Sequence, residues 1–248
     1  MLKRFLPFPF ICLVLLSFIS IAYSQETEIK GEEVVFSTKD DFKIKGTLGV
    51  FDKTKKKPAI ILIHQGGSNR NEWSGFYEKL VAQNYVVLAY DVRGHGESDK
   101  VDSIYKLFND PNQAPLDLKA AIEFLRTKPF VDKERIAVIG ASIGANLAAV
   151  AAGDSSYGIK TAVVMSAKTS AVYNLAGTDS LKFKSLFLIA SENDQGGQRA
   201  TWAKEIYDKA KEPRKLEIVK SSRKHGVHVF EDDPAVMQHI IDWIKSNL

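Results

Sequence analysis

The chain has 248 residues, 45% of them hydrophobic, with 34 basic against 30 acidic side chains and a single cysteine. The excess of positive charge is small, so it gives no argument for a nucleic-acid partner, and one cysteine excludes a disulfide framework. A chain of this size can bury one sizeable core without covalent staples.

Residues 1–24 read as a signal peptide rather than as part of the fold. Lys3 and Arg4 form a basic start, Phe5 to Ile21 is almost wholly apolar, and Ala22-Tyr23-Ser24 places small residues where a signal peptidase reads. Cleavage is expected before Gln25, with export to the periplasm or the exterior. The alternative is an uncleaved anchor, because the apolar run is just long enough to span a bilayer. A lipoprotein is disfavoured, since Phe10 and Ile11 precede Cys12 where a lipid-modification site needs a small residue. Cleavage would remove Cys12, and with it any thiol nucleophile or thiolate metal site. It would also remove Lys3 and Arg4, lowering the formal charge from +4 to +2, and taking 24 of the 248 residues away leaves a domain of 224. No stable membrane contact is expected of that domain.

Strand-like segments begin at Glu33 to Thr38 and Phe42 to Phe51, where apolar and polar residues roughly alternate as in a half-exposed antiparallel pair. The run Lys53 to Lys57 reads as a solvated loop tip before Pro58. Then the character changes. Ala59 to Ile63, Tyr85 to Tyr90, Ile136 to Ile139, Thr161 to Met165 and Leu186 to Ala190 are continuous apolar runs, as expected of strands buried on both faces. A further strand-like run spans Leu216 to Val219. Helical spacing of apolar residues marks Glu72 to Gln83, Leu116 to Arg126, Ile143 to Ala152, Gln198 to Ala210 and Pro234 to Asn247. This alternation predicts a mostly parallel twisted sheet of about eight strands with helices on both faces. Its functional groups should lie at the carboxyl ends of the strands.

The most informative strand end is Gly140-Ala141-Ser142-Ile143-Gly144. An apolar strand enters a turn of two glycines around a serine and leaves through alanine-rich helical sequence. Such an elbow lifts the Ser142 hydroxyl above the strand ends and aims the N–H of Ile143 at any oxyanion forming beside it. The bland alternative is an ordinary tight turn with a solvent-facing serine. His64-Gln65-Gly66-Gly67 follows the first buried strand, and the N–H of Gly66 or Gln65 is the candidate second oxyanion donor. Asp91 to Ser98 carries His95 between glycines, but its charged residues suit local pairing, so a structural role is expected.

The loop Ser191 to Gly197 offers Asp194, with Glu192 in reserve, as the carboxylate that would orient a histidine. The next loop offers His225 as the base. His228, between Val227 and Val229, is expected to point into packing, and His239 to be a surface or packing residue. His225, His228 and Glu231 have no further ligand cluster to complete a zinc site, so neither a metal nor a cofactor is expected.

Together these motifs resemble the α/β-hydrolase superfamily, and within it the small dienelactone-hydrolase-like and secreted carboxylesterase proteins. His64 to Gly67 resembles the oxyanion loop, Asp91 to Ser98 the D-x-R-G-x-G-x-S turn, Gly140 to Gly144 the elbow, and His225-Gly226 the histidine loop. The resemblance implies a single-domain α/β-hydrolase fold and a serine esterase using Ser142, Asp194 and His225 on a small-molecule or polymer-attached ester. Two positions depart from the pattern. Dienelactone hydrolases use cysteine where Ser142 stands, and Gln65 replaces the glycine that often follows the oxyanion-loop histidine. Only Ser166 to Lys184 is free to form a lid, which implies no large lid and an open cleft with Tyr105, Phe108 and Tyr173 as candidate lining. A peptidase of the same superfamily and a silent binding scaffold are the alternatives, and oligomeric state is left open.

Overall fold

A computed structural model describes residues 30–248. The expected signal peptide, residues 1–24, lies outside the described residues. Eight strands form one sheet: β1 (Glu32–Ser37), β2 (Lys43–Gly49), β3 (Lys57–Ile63), β4 (Val86–Tyr90), β5 (Val131–Ala141), β6 (Thr161–Met165), β7 (Lys184–Ser191) and β8 (Lys211–Val219). Their order is β1-β2-β4-β3-β5-β6-β7-β8. β2 is antiparallel to both β1 and β4, and every other pair is parallel.

The apolar runs are continuous because both faces of the sheet are covered. In β3, Ile61 and Ile63 join the core beneath α2 (Ala114–Arg126), α3 (Ile143–Gly153), α4 (Thr169–Ala176) and α5 (Gln198–Lys209). Ile60 and Leu62 point the other way, into the core beneath α1 (Phe76–Ala82) and α7 (Ala235–Asn247). Register then sets the functional edge. Ile63 lies abreast of both Tyr90 and Gly140, Ala141 abreast of Met165, and Met165 abreast of Ile189. The strands therefore end level, and the loops at His64, Asp91, Ser142, Ser166 and Glu192 emerge along one rim. Backbone pairing continues just past the strands, with Ser142 N–H donating to Met165 O (2.9 Å) and Ser166 N–H to Ile189 O (2.9 Å).

The turn after β4 is a charge network, as expected. Asp91 accepts from the Arg70 backbone N–H (2.7 Å), the Arg70 guanidinium and the Glu97 N–H (2.9 Å). Arg93, fully buried, donates through Nε (2.7 Å) and its backbone N–H (2.9 Å) to the buried Asp117, and through both terminal nitrogens to Asp40. Burial pushes the Asp117 carboxyl up while Arg93 pulls it down. We assign it the carboxylate form, because two N–H donors face it.

Two local expectations are corrected and one element went unread. Lys57 is not solvated: it opens β3, is buried, and donates to Asp52 (3.0 Å) and Asn84 (2.7 Å). The helix expected from Glu72 is broken, with a 3₁₀ turn over Arg70–Trp73 and a new start at Gly75, whose φ of +79° no helix can continue. The segment Ser166 to Lys184 contains α4, whose eight residues gave too short a periodic signal to read.

The network predicts an asymmetry. Asp117→Ala should destabilise the fold by about 3 kcal/mol, because it leaves a buried guanidinium short of a partner. Glu97→Ala, at the solvated end of the network, should cost less than about 1 kcal/mol. Urea unfolding of the two variants measures the difference.

Candidate active site

Ser142 occupies φ 52°, ψ −106° at the junction of β5 and α3. A side chain there is strained and persists only where its surroundings fix it. The fixing is steric. A Cβ at Gly140 would overlap the Gly144 carbonyl, and one at Gly144 would overlap the Ile63 carbonyl, so the two glycines let strand, turn and helix close on one another. Ile143 is the first residue of α3, and its N–H has no acceptor within the helix.

The oxyanion-loop candidate is held from both sides. Val92 N–H donates to His64 Nε2 (2.9 Å), which fixes the tautomer: Nδ1 carries the proton and donates to Gln65 O (2.7 Å). In a trans peptide the C=O and the following N–H point in opposite directions. Anchoring the Gln65 carbonyl inward on His64 therefore turns the Gly66 N–H outward, to the cleft that Gly66 lines. The Gln65 N–H donates to Glu72 Oε1 (2.8 Å) and is thus taken up, which leaves Gly66 as the available donor of the two candidates.

His225 Nδ1 lies 2.6 Å from Asp194 Oδ2, so the imidazole turns Nε2 away from the carboxylate. Glu192 serves elsewhere, accepting from Ser221 N–H (2.9 Å) and Lys220 Nζ (2.9 Å). A relay of hydroxyls pins the histidine loop. Ser222 Oγ donates to Ser191 Oγ (2.9 Å), Ser191 Oγ to Lys224 O (2.6 Å), and Gly226 N–H to Ser166 Oγ (3.1 Å). Gly226 has φ +57°, and a Cβ there would overlap the Gln65 side chain.

Ser142, Ile143, Gly66, Gln65 and His225 line one cleft of about 500 Å³. Asp194 stands behind His225 and is nearly buried. Phe108 lines the cleft as expected, lying over Gly66, but Tyr105 and Tyr173 do not. Tyr105 is 79% exposed, and Tyr173 packs on Phe183 and accepts from Lys209 Nζ. His228 is corrected as well: it is exposed and bonded to Glu231 (2.7 Å), while its neighbours Val227 and Val229 supply the packing. His239 pairs with Glu217 (2.9 Å). Sequence reasoning missed Ile104, Asn109, Asn146, Lys168, Ala171, Gln195 and Arg199 in the lining, and the positioning residue Ser166. Only Ser166 had a signal, its place directly after a buried strand.

A strained hydroxyl beside unpaired N–H groups and an oriented imidazole is equipped for acyl transfer, with no metal-ligand cluster found among the described residues. The family model described as serine aminopeptidase, S33, matches residues 54–190, more than half of the chain. The chain belongs to this α/β-hydrolase family. The match takes in His64 to Gly67, Asp91 to Ser98 and the elbow, and stops before Asp194. Among relatives, the uncharacterised YcjY protein of Escherichia coli is 35% identical over 103 residues, covering 41% of this chain and 33% of that protein. The thiohydrolase apmlB of Arthrinium phaeospermum is 34% identical over 125 residues, covering 49% of this chain and 38% of that one. The chain thus matches roughly a third of the length of these relatives. The esterase of Pyrococcus furiosus superposes with a TM-score of 0.68 at 22% identity, covering 88% of this chain and 93% of its own. That likeness establishes the shared fold. The dienelactone-like branch receives no such support, and the family stands at the level of the α/β hydrolases.

His64 gives the site a pH signature. Burial pulls its pKa from the ordinary 6.5 down to about 4, against the opposing hydrogen bond to Gln65 O. The folded state keeps His64 neutral while the unfolded chain takes up a proton. Stability from this group is therefore complete above about pH 6.5 and is lost as pH falls toward 4. Between pH 7 and 4.5 the loss should be about 2 kcal/mol, and His64→Gln should flatten that limb when urea midpoints are compared across pH.

Proposed function

We propose that the protein is a serine hydrolase acting on carboxylic esters, through an acyl-enzyme on Ser142. The observation that carries this reading is the strained Ser142 in one cleft with an imidazole whose Nδ1 is held by Asp194. His225 Nε2 removes the proton of Ser142 as its Oγ attacks the ester carbonyl, and the imidazolium is stabilised by Asp194. The oxyanion is held by the N–H groups of Ile143 and Gly66. His225 then protonates the departing alcohol, a water takes its place, and the same groups release the acid.

The esterase and thiohydrolase relatives support an acyl substrate with an oxygen or sulfur leaving group. Against an aminopeptidase reading stands the charge of the cleft: its lining contains Lys168 and Arg199 and no carboxylate, an unfavourable surface for a substrate ammonium. A silent scaffold would have no use for the strain at Ser142. Residues 1–24 are proposed to direct export, so the exported protein should begin at Gln25 on N-terminal sequencing. A start at Met1 would mean a retained segment.

Hydrolysis of 4-nitrophenyl acetate, butyrate and octanoate tests the reaction. Turnover should vanish in Ser142→Ala and fall about 10⁴-fold in Asp194→Asn, where the wrong imidazole tautomer is favoured. Equal rates for the wild type and Ser142→Ala would overturn the reading.

A further inference from the structure

Part of the cleft lining carries positive charge with no ion pair among the described residues. Arg199, on α5, is only 8% exposed yet makes no ion pair among the described residues. Its Nη1 donates to the Ser166 carbonyl (2.9 Å), and its Nε is buried without a partner. Burial lowers its pKa, an effect that Asp194 partly offsets, but the Asp194 Oδ2 is already bonded to His225. Lys168, at the mouth of α4, shares that lining, and the described residues provide no carboxylate for it either. Both cations face the Trp202 ring, at 5.1 Å for Arg199 and 5.8 Å for Lys168. Asn146, one turn into α3 from Ser142, accepts at Oδ1 from the Lys168 N–H (2.8 Å) and lines the same cleft.

Part of the remaining lining is apolar. Phe108 lies against Gly66 of the oxyanion loop and Ile104 shares the lining, whereas Arg199 reaches Ser166 and thereby the histidine loop. A guanidinium taken out of water without a counter-ion is costly unless an anion completes it, and its planar fork suits a carboxylate. Resting on the ester-hydrolase reading, we infer that Arg199, with Lys168 and Asn146, forms a subsite for a carboxylate carried by the substrate. The substrate class is an ester with an apolar portion against Phe108 and Ile104 and an anionic portion on the side of the histidine loop.

The test compares matched esters at low ionic strength: 4-nitrophenyl hemiglutarate against 4-nitrophenyl butyrate for an anionic acyl group, and 4-acetoxybenzoate against methyl 4-acetoxybenzoate for an anionic leaving group. In at least one pair, kcat/KM should favour the anion by about 10- to 100-fold, the worth of a hydrogen-bonded charge. The preference should shrink as salt is added. Arg199→Met should abolish it and Arg199→Lys restore part of it, while Lys168→Met, at an exposed position, should reduce it without endangering the fold. No anion preference in either pair would overturn the subsite. So would an Arg199→Met variant that slows neutral and anionic esters equally and is not rescued by lysine, since that is the behaviour of a mere loop anchor. A second readout separates this failure from that of the ester reading: glutarate should raise the thermal midpoint of the wild type and of Ser142→Ala, but not of Arg199→Met. Protection by glutarate without turnover of any ester would sink the ester reading and keep the subsite. Absence of both would sink the subsite too.

Discussion

The contact on which the rest depends is the approach of α3 to the carboxyl ends of β3 and β5 through Gly140 and Gly144. Without two missing side chains the helix could not begin directly over the strand ends, and Ser142 could not be held at positive φ. The same closeness places the first N–H of the helix beside the serine. One steric condition thus sets the strain, the exposure of the hydroxyl and the direction of the nearest donor. The small residues of α3, mostly alanine after Asn146, belong to the same condition, because a buried helix lying across the middle of the sheet has little room for larger ones.

Around that contact the molecule fixes its loops with polar links as well as apolar packing. Ser166 is the clearest case. In a left-handed conformation, φ 62°, it donates its N–H to β7, accepts at its hydroxyl from the histidine loop, and accepts at its carbonyl from Arg199. Ser191 and Ser222 tie the acid and histidine loops together from the other side. These buried hydroxyl bonds add direction to what the buried Val227 and Val229 side chains contribute by packing.

How much of this was legible follows from the range of each signal. The five central strands were readable because burial on both faces imposes an apolar run that needs no knowledge of neighbours, β1 and β2 showed as alternation, and of β8 only the Leu216–Val219 end carried a signal. The elbow was readable because strand, glycines and helix are contiguous in the chain. Asp194 was preferred to Glu192 from the sequence, but both lie on one loop, and the physical reason, Glu192 turned to Ser221 and Lys220, shows only in the three-dimensional path. His228 misled for a similar reason: its valine neighbours are buried, but the chain turns into a helical segment there and sends the histidine outward. Arg199 had no local mark at all. A single arginine in a helix reads as surface, and its burial follows from the way α5 lies beside the end of β6.

The 3₁₀ turn over Arg70–Trp73 joins two distant regions of the molecule. Arg70 grips Asp91 and, at the outer strand β1, Glu33, while Glu72 in the same turn holds the Gln65 N–H beside Gly66. The outer antiparallel strand is therefore not a passive trim on the sheet. Through Arg70, Glu72 and Gln65 the border strand is tied to the loop that carries Gly66, so the edge of the sheet doubles as a brace for the cleft.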